Sequence, residues 1–382
     1  MSKKIVAMVM IALVLTVSLA ITLGNGCSLI SGQSTTESDL DLALLEEVWE
    51  IIQEEYVEPD ALDAETLIRG ALKGMVDALD DPYSAYMDPD YYELFTSDLA
   101  GEFEGIGAYV EERDGHIIVI APIPGTPADE AGVKPGDVIV GVDGESIVGW
   151  SIHDAINVIR GPRGTPVRLL ILHEGDTELV EIEIIRAEIE VPSVYLEMRG
   201  YIAHIIIAEF TERTSEELSD ALDEATEQQA TGIILDLRNN PGGLLSAVVG
   251  VASRFLDEGI VVSVVDNEGK KTDSPVEDDG PVIMLPIVVL VNEFSASGSE
   301  VLAGALQDHD RAVVAGDTTF GKGSVNILLE LSDDSGLYIT VARWYTPGGR
   351  LIEGEGIEPD FKLDTEEVDP VEWALDYLEN HM

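Results

Sequence analysis

The sequence predicts an α/β fold preceded by a helical region, and three observations carry that reading. Ile287–Val291 is a short apolar run without polar alternation, the mark of a strand buried on both faces; Ala312–Ala315 is a second apolar strand, and Gly232–Leu237 reads as another buried strand. Helical patterns alternate with them, as in Ser215–Gln228 and again from Glu300 to about Gln307. Ahead of all this, Leu40–Tyr56 and Ala64–Leu79 space their apolar residues as helices do, with acids between.

Length and composition bound the possibilities. A chain of 382 residues, 45% hydrophobic and 25% charged, is globular and long enough for two domains. Its 74 acidic residues against 21 basic give a net charge of −53. Such a surface repels nucleic acid and anionic lipid, which excludes partners held by phosphate contacts. There is no Asp-x-Asp-x-Asp-Gly calcium loop, so the acidity reads as a solvated surface. With a single cysteine, Cys27, no internal disulfide forms.

Taken in order, the chain begins with Met1-Ser2-Lys3-Lys4 and an uncharged run, Ile5–Leu23. These read as a signal or membrane anchor over 1–27, with a cytoplasmic start and the bulk exported. Cys27, after the small Gly26, loosely resembles a lipidation site. A polar tether over 28–38 leads to the helical region, 39–98, where Pro82–Phe95 forms a tyrosine-rich piece that suggests packing and no chemistry.

Gly101 to about Arg186 reads as short strands, turns and one helix, set within a domain of 101–187. Gly105-Ile106-Gly107-Ala108 starts a strand, Pro124–Ala128 precedes a short helix, Asp143-Gly144 is a hairpin turn and Ser151–Arg160 is the helix. The run Ala131-Gly132-Val133-Lys134-Pro135-Gly136-Asp137-Val138-Ile139 resembles a PDZ domain. Such domains add an extended peptide to a sheet edge and hold its terminal carboxylate on loop amides. The resemblance puts that loop at Gly105, Ile106, Gly107 and Ala108. Arg160, closing the helix, either senses the bound tail or complements the helix C-terminus.

Val194–Phe210 supplies core strands, and Pro370–Met382 is an amphipathic closing helix. The stretch with chemistry lies between, at Pro286–Asn326. Its first strand ends in Ser295-Ala296-Ser297-Gly298-Ser299, and the helical pattern starts at Glu300. A hydroxyl at such a turn is exposed, and the free amides of the helix start can hold a developing oxyanion. Ser297-Gly298-Ser299-Glu300 is equally a capping box. Lys322 stands between Gly321 and Gly323. Most lysines are solvated surface charges, but one buried in this glycine-rich, apolar frame loses its proton more readily and can take one from a serine.

SASGSEVLAGALQD followed by RAVVAGDTTFGKG resembles the carboxyl-terminal processing proteases, PDZ-containing serine proteases with a Ser-Lys pair. Asp236–Gly243, Tyr345–Arg350 and Gly356–Asp360 continue the resemblance in order, so it covers nearly the whole chain after the leader. It implies a protease core over 188–382 with a mixed sheet and flanking helices, and no metal or organic cofactor. It implies Ser297 as nucleophile, Lys322 as base, and the amides of Gly243 and Gly298 as an oxyanion hole. The family commonly has a glutamine four residues after the lysine, which orients it; here Asn326 offers the same amide on a shorter arm, and the resemblance implies that it steadies the Lys322 amine as the third catalytic residue. In the family the N-terminal helical region supports dimers. The expected protein is an exported, membrane-tethered serine endopeptidase of the cell envelope that acts near the carboxyl termini of protein substrates. The alternative is an exported PDZ peptide-binding protein on an inactive protease-like core.

Other chemistries fit less well. Gly316–Lys322 matches a phosphate-cradling loop, but Gly323 replaces the hydroxyl residue and a strand pattern follows. His309, between Asp308 and Asp310, would be the base of a Ser-His-Asp triad, yet it stands twelve residues past Ser297, at the far end of the same helix.

Overall fold

The computed structural model describes residues 42–381 apart from 101, 114, 174 and 279. The leader, Cys27 and the tether lie outside the described residues. Among those described, no helix is long and apolar enough to cross a membrane. The chain divides into two compact units, 1–63 and 64–382. The first contains α1 (Ala43–Glu55), with Leu44, Val48 and Ile51 exposed, and a 3₁₀ turn at Pro59–Ala61.

The second unit opens with α2 (Ala64–Asp77), β1 (Ala85–Met87) and α3 (Pro89–Ala100). An excursion then begins at β2 (Glu102–Gly105). It contains β3 (Ala108–Arg113), β4 (His116–Pro122), α4 (Pro127–Glu130), β5 (Val138–Val142), β6 (Glu145–Ser146), α5 (Ile152–Ile159), β7 (Pro166–Leu172) and β8 (Leu179–Ile185). β9 (Ala187–Glu190) ends it by pairing antiparallel with β2, Gly105 opposite Ala187. The sheet runs β3-β4-β5-β7-β8, with β6 on β5. It closes over a core of its own, in which Ile117, Ile139, Leu169 and Ile171 are almost fully buried.

The rest of the chain builds the larger core. Its elements are β10 (Val194–Arg199), β11 (Ile202–Ile207), α6 (Thr214–Glu227), β12 (Gly232–Asp236), α7 (Leu245–Ser253), β13 (Ile260–Asp266) and β14 (Lys271–Pro275). There follow β15 (Ile287–Val291), α8 (Gly298–Asp308), β16 (Val313–Gly316), β17 (Ser324–Glu330), β18 (Gly336–Tyr345), β19 (Phe361–Lys362) and α9 (Pro370–His381).

Six strands pair in the order β10-β11-β12-β15-β16-β19. β10 is antiparallel and the rest are parallel, so the sheet is mixed. Every residue of β12 and β15 is buried, which is why their sequences show no alternation. Successive side chains still go to opposite faces. Ile233, Leu235 and Val289 pack with α6, α7 and α8, while Ile234, Val288 and Leu290 pack with Ala374 and Leu378 of α9.

A second sheet runs β1-β18-β13-β14, with β17 also on β18. Residues read as part of the N-terminal helical region thus contribute a strand, Ala85 opposite Tyr338 and Met87 opposite Gly336. Three residues are too short a run to show a period of two. β12, β15 and β16 end side by side, and the loops beyond their carboxyl ends meet, as in parallel sheets that carry sites there.

Candidate active site

The loop after β15 delivers three serines in five residues, and their hydroxyls have different surroundings. Ser295 Oγ donates to Leu237 O (2.8 Å) and accepts from Asn292 N–H (2.9 Å). Ser299 Oγ donates to Asn240 O (3.0 Å). Both are buried and hold loops together. The hydroxyl of Ser297, half-buried at the N-cap of α8, donates to no group among the described residues. Its backbone is strained, with φ 52° and ψ −111°. A residue without glycine's freedom stays in that region only where its surroundings force it, at a cost of about 1–3 kcal/mol.

What forces it is a tight approach from the loop after β12. Asn240, fully buried, holds Ile207 O through Nδ2 (2.8 Å) and accepts Gly242 N–H at Oδ1 (2.8 Å). Its carbonyl accepts from Ala296 N–H (3.0 Å) as well as from Ser299. Gly242 then lies so close that a Cβ there would sit 2.7 Å from Ser297 Cβ and 2.8 Å from Gly298 N. Gly243, at φ 136°, presses on Phe210, where a Cβ would meet the carbonyl oxygen at 2.2 Å. The amides of Gly243 and Gly298 have no acceptor among the described residues.

Glu300 is the residue whose reach the sequence reading missed. The capping box shows its local half, Oε2 accepting Ser297 N–H at 2.8 Å. The same carboxylate also accepts Lys322 N–H (2.9 Å), and Oε1 accepts Gly321 N–H (2.6 Å) and the Thr319 hydroxyl (2.6 Å). One fully buried side chain therefore ties the serine turn to the lysine loop. Burial pushes its pKa above the ordinary carboxylate value, against the pull of the hydrogen bonds. No local pattern could have revealed contacts that span 19 to 22 residues.

Lys322 is half-buried, and burial, the largest influence on it, lowers its pKa. Asp81, Glu300 and Glu353 act in the opposite direction. Its Nζ lies 5.2 Å from the centroid of the Tyr83 ring. Asn326 does not bond to it. The Asn326 amide donates to Tyr83 O (2.9 Å) and Thr340 Oγ1 (2.9 Å) and accepts from the Ser324 hydroxyl (3.1 Å). After Lys322 the chain enters β17, so no helix start faces it as a phosphate loop requires. His309 bonds Ile260 O (2.8 Å) at the far end of α8, and Asp308 holds Gly348 N–H and Arg350.

The second group of expected residues sits at the mouth of the small-sheet domain. Gly105 ends β2, Ala108 starts β3, and Ile106 is buried between them. Ile106 O accepts from Ala128 N–H (2.7 Å), and Gly107 O from Ile123 N–H (2.9 Å) and the Thr126 hydroxyl (2.8 Å). At Gly107, φ 77°, a Cβ would lie 2.4 Å from Thr126, so only glycine fits. A cavity of about 440 Å³ runs alongside, between Ala108, Val110 and Ile156 on one side and Pro192, Tyr195 and Thr211 of the larger core on the other. Arg160 stacks on Phe103, 4.1 Å from its centroid, and donates to Ser97 Oγ (3.1 Å).

Comparison with known proteins fits this geometry. Residues 201–363 match Peptidase family S41, 118–172 match the PDZ domain, and 26–91 match the N-terminal domain of the activating protease CtpB. Carboxy-terminal processing protease CtpA of Bacillus subtilis (strain 168) is 38% identical over 363 residues, 94% of this chain and 77% of the relative. CtpB of the same organism is 36% identical over 340 residues, 87% of this chain and 70% of the relative. The structure of the photosystem II D1 C-terminal processing protease superposes with a TM-score of 0.53 at 29% identity, covering 88% of this chain and 96% of that one. With these likenesses over nearly its full length, the chain belongs to the carboxy-terminal processing proteases, PDZ-bearing serine-type peptidases of family S41.

Proposed function

We propose that the chain is an endopeptidase that cuts near the carboxyl termini of protein substrates with Ser297 and Lys322 as its catalytic pair. The observation that carries this is the single buried carboxylate, Glu300, which fixes the serine turn and the lysine loop to each other. Ser297 Oγ attacks the scissile carbonyl as the neutral Lys322 amine takes its proton. The Gly243 and Gly298 amides hold the oxyanion, each such donor contributing about 3–4 kcal/mol to the transition state. Collapse of the tetrahedral intermediate releases the amine, which leaves with the proton from Lys322. Water, deprotonated by the same lysine, then frees the acyl group and restores Ser297.

The PDZ domain recruits the tail: an extended peptide adds to β3 with its carboxylate on the amides of Gly105–Ala108. The cavity beside that loop, bounded by both domains, supports a path from recruitment to cleavage and a gating role. Export follows from the uncharged Ile5–Leu23 run, which either anchors the protein at the membrane or is removed, and pairing of the N-terminal helices would make a homodimer.

A second reading, an inactive peptide-binding protein, is favoured by the Asn326 amide, whose donors are engaged away from the lysine. A fluorophosphonate probe separates the two. Labelling of the parent chain, lost in Ser297→Ala and Lys322→Ala, together with cleavage of an unstructured protein ending in an apolar tail, supports the peptidase. A parent that neither labels nor cleaves supports the binding protein.

A further inference from the structure

The turn Asp81-Pro82-Tyr83-Ser84, which the sequence assigns to packing, lies beneath the lysine. Ser84 N–H closes it onto Asp81 O (3.2 Å). The Asp81 carboxylate accepts Tyr83 N–H (3.1 Å) and the Ser84 hydroxyl (2.6 Å). Ser84 Oγ in turn accepts Thr340 N–H of β18 (3.1 Å). From β17, Asn326 Nδ2 grips Tyr83 O (2.9 Å) and the Thr340 hydroxyl (2.9 Å). β1 follows at once and pairs with β18. The Tyr83 backbone, from which the ring projects, is therefore fixed from both sides.

Lys322 needs such a partner. Its side chain is a flexible four-carbon stem, and the glycines on either side offer no wall to lean on. Among the described residues its ammonium has no hydrogen bond and no ion pair, and it lies 5.2 Å from the centroid of the Tyr83 ring, within range of a cation–π attraction. The charged groups facing it are Asp81 from the turn, Glu300 from α8 and Glu353 from the loop between β18 and β19. Arg343 of β18 acts in turn on Asp81 and Tyr83.

We infer that Tyr83 is a positioning residue for Lys322: its ring face sets where the lysine amine rests, and Asn326 acts on the lysine by holding the Tyr83 carbonyl. This rests on the Ser297–Lys322 reading. It gives a use to an asparagine whose amide is turned away from the lysine. It also makes a segment that precedes the PDZ domain in the chain part of the catalytic apparatus that follows it.

The ring attracts the ammonium and not the free amine, so removing it has two effects with separate readouts. The acid limb of kcat/KM moves to lower pH, by about 0.5–1.5 pH units for a contact of this class. The rate constant kcat falls about 10- to 100-fold with little change in KM, because the base is misplaced after binding is complete. The test compares the full chain with Tyr83→Phe, Tyr83→Leu, Asn326→Ala and a variant carrying pentafluorophenylalanine at 83. The last keeps the ring's shape while abolishing its attraction for a cation, so it stays informative where Tyr83→Leu melts early.

Tyr83→Phe should keep the parent's limb and rate. The fluorinated variant and Tyr83→Leu should shift the limb downward, and Asn326→Ala should shift it in the same direction by less. A readout independent of turnover is ¹³C NMR of labelled lysine in Ser297→Ala, where only eight lysines contribute and Lys322→Arg assigns the signal. Titration of Lys322 at lower pH without the ring would support the proposal even in a parent that cleaves nothing, in which case the peptidase reading alone has failed. An active parent whose limb, kcat and Lys322 titration are all unmoved by the fluorinated ring would overturn it.

Discussion

In the role proposed for Lys322 as base, function and stability pull apart within one side chain. Burial favours its neutral form in the fold, while the unfolded chain keeps the ordinary value near 10.5. Its folded pKa is thus depressed below the unfolded one. Between the two values the unfolded chain binds more protons, so stability rises with pH across that window. At neutral pH the penalty is in force, and it is relieved as the pH climbs toward 10.5. Lys322→Met should therefore stabilise the chain against urea at pH 7 and lose that advantage above pH 10. An equal effect at both values would mean that the amine is as well solvated in the fold as outside it. Glu300 predicts the opposite outcome. All four groups on it donate, and a glutamine there can accept at only one oxygen while its own amide meets donors. Glu300→Gln should cost about 1–3 kcal/mol for each buried donor left unpaired, and fluorophosphonate labelling of Ser297 should fall with it. Retained labelling at parental stability would show that the serine turn and the lysine loop hold together without the carboxylate.

Among elements, those that bury a continuous apolar run were legible, and those defined by partners far along the chain were not. β12 and β15 declare themselves because every residue is buried, and α8 because its capping box and apolar spacing agree. β1 does not, since its identity as a strand comes from β18, some 250 residues later. The site divides the same way. Ser297 and Lys322 stand out by their flanking small residues, whereas Glu300's second grip and the Tyr83 contact exist only once the strands have paired. The β2–β9 ribbon is another element that only pairing reveals, and it carries a prediction. Gly105 and Ala187 face each other at its end, and the domain beyond has its own buried core. Joining them through a two-residue Asn-Gly turn should excise 106–186 and leave the larger core folded. Calorimetry should then show one cooperative transition fewer or a smaller one. If the PDZ domain recruits tails, KM for a tailed protein should rise while cleavage of short peptides persists. Failure of the excised chain to fold would show that the two cores are one cooperative unit.

For the molecule as a whole, charge is the dominant surface term. Even if each of the 21 basic residues neutralised one acid, 53 would remain without an opposite charge. The surface pairs that do form are exposed, among them Arg168 with Glu183 (3.0 Å) and Lys362 with Asp317 (3.0 Å). Pairs of that kind contribute little to stability and weaken further as salt is added. Self-repulsion of the excess works the other way, since salt relieves it by shortening the Debye length from about 30 Å at 0.01 M to about 3 Å at 1 M. With so few cations available, repulsion should win, and the urea midpoint should rise with sodium chloride across that range. A falling midpoint would mean that the few pairs outweigh the many like charges. The same field acts on any charged substrate that approaches, so under the proposed function kcat/KM should respond to salt according to the charge of the tail. A lysine-rich tail should be cleaved fastest at low salt and slow as salt is added, and an aspartate-rich tail should do the reverse. Because any effect of salt on stability is common to both assays, opposite slopes for the two substrates would come from steering alone, and parallel slopes would assign the whole effect to stability.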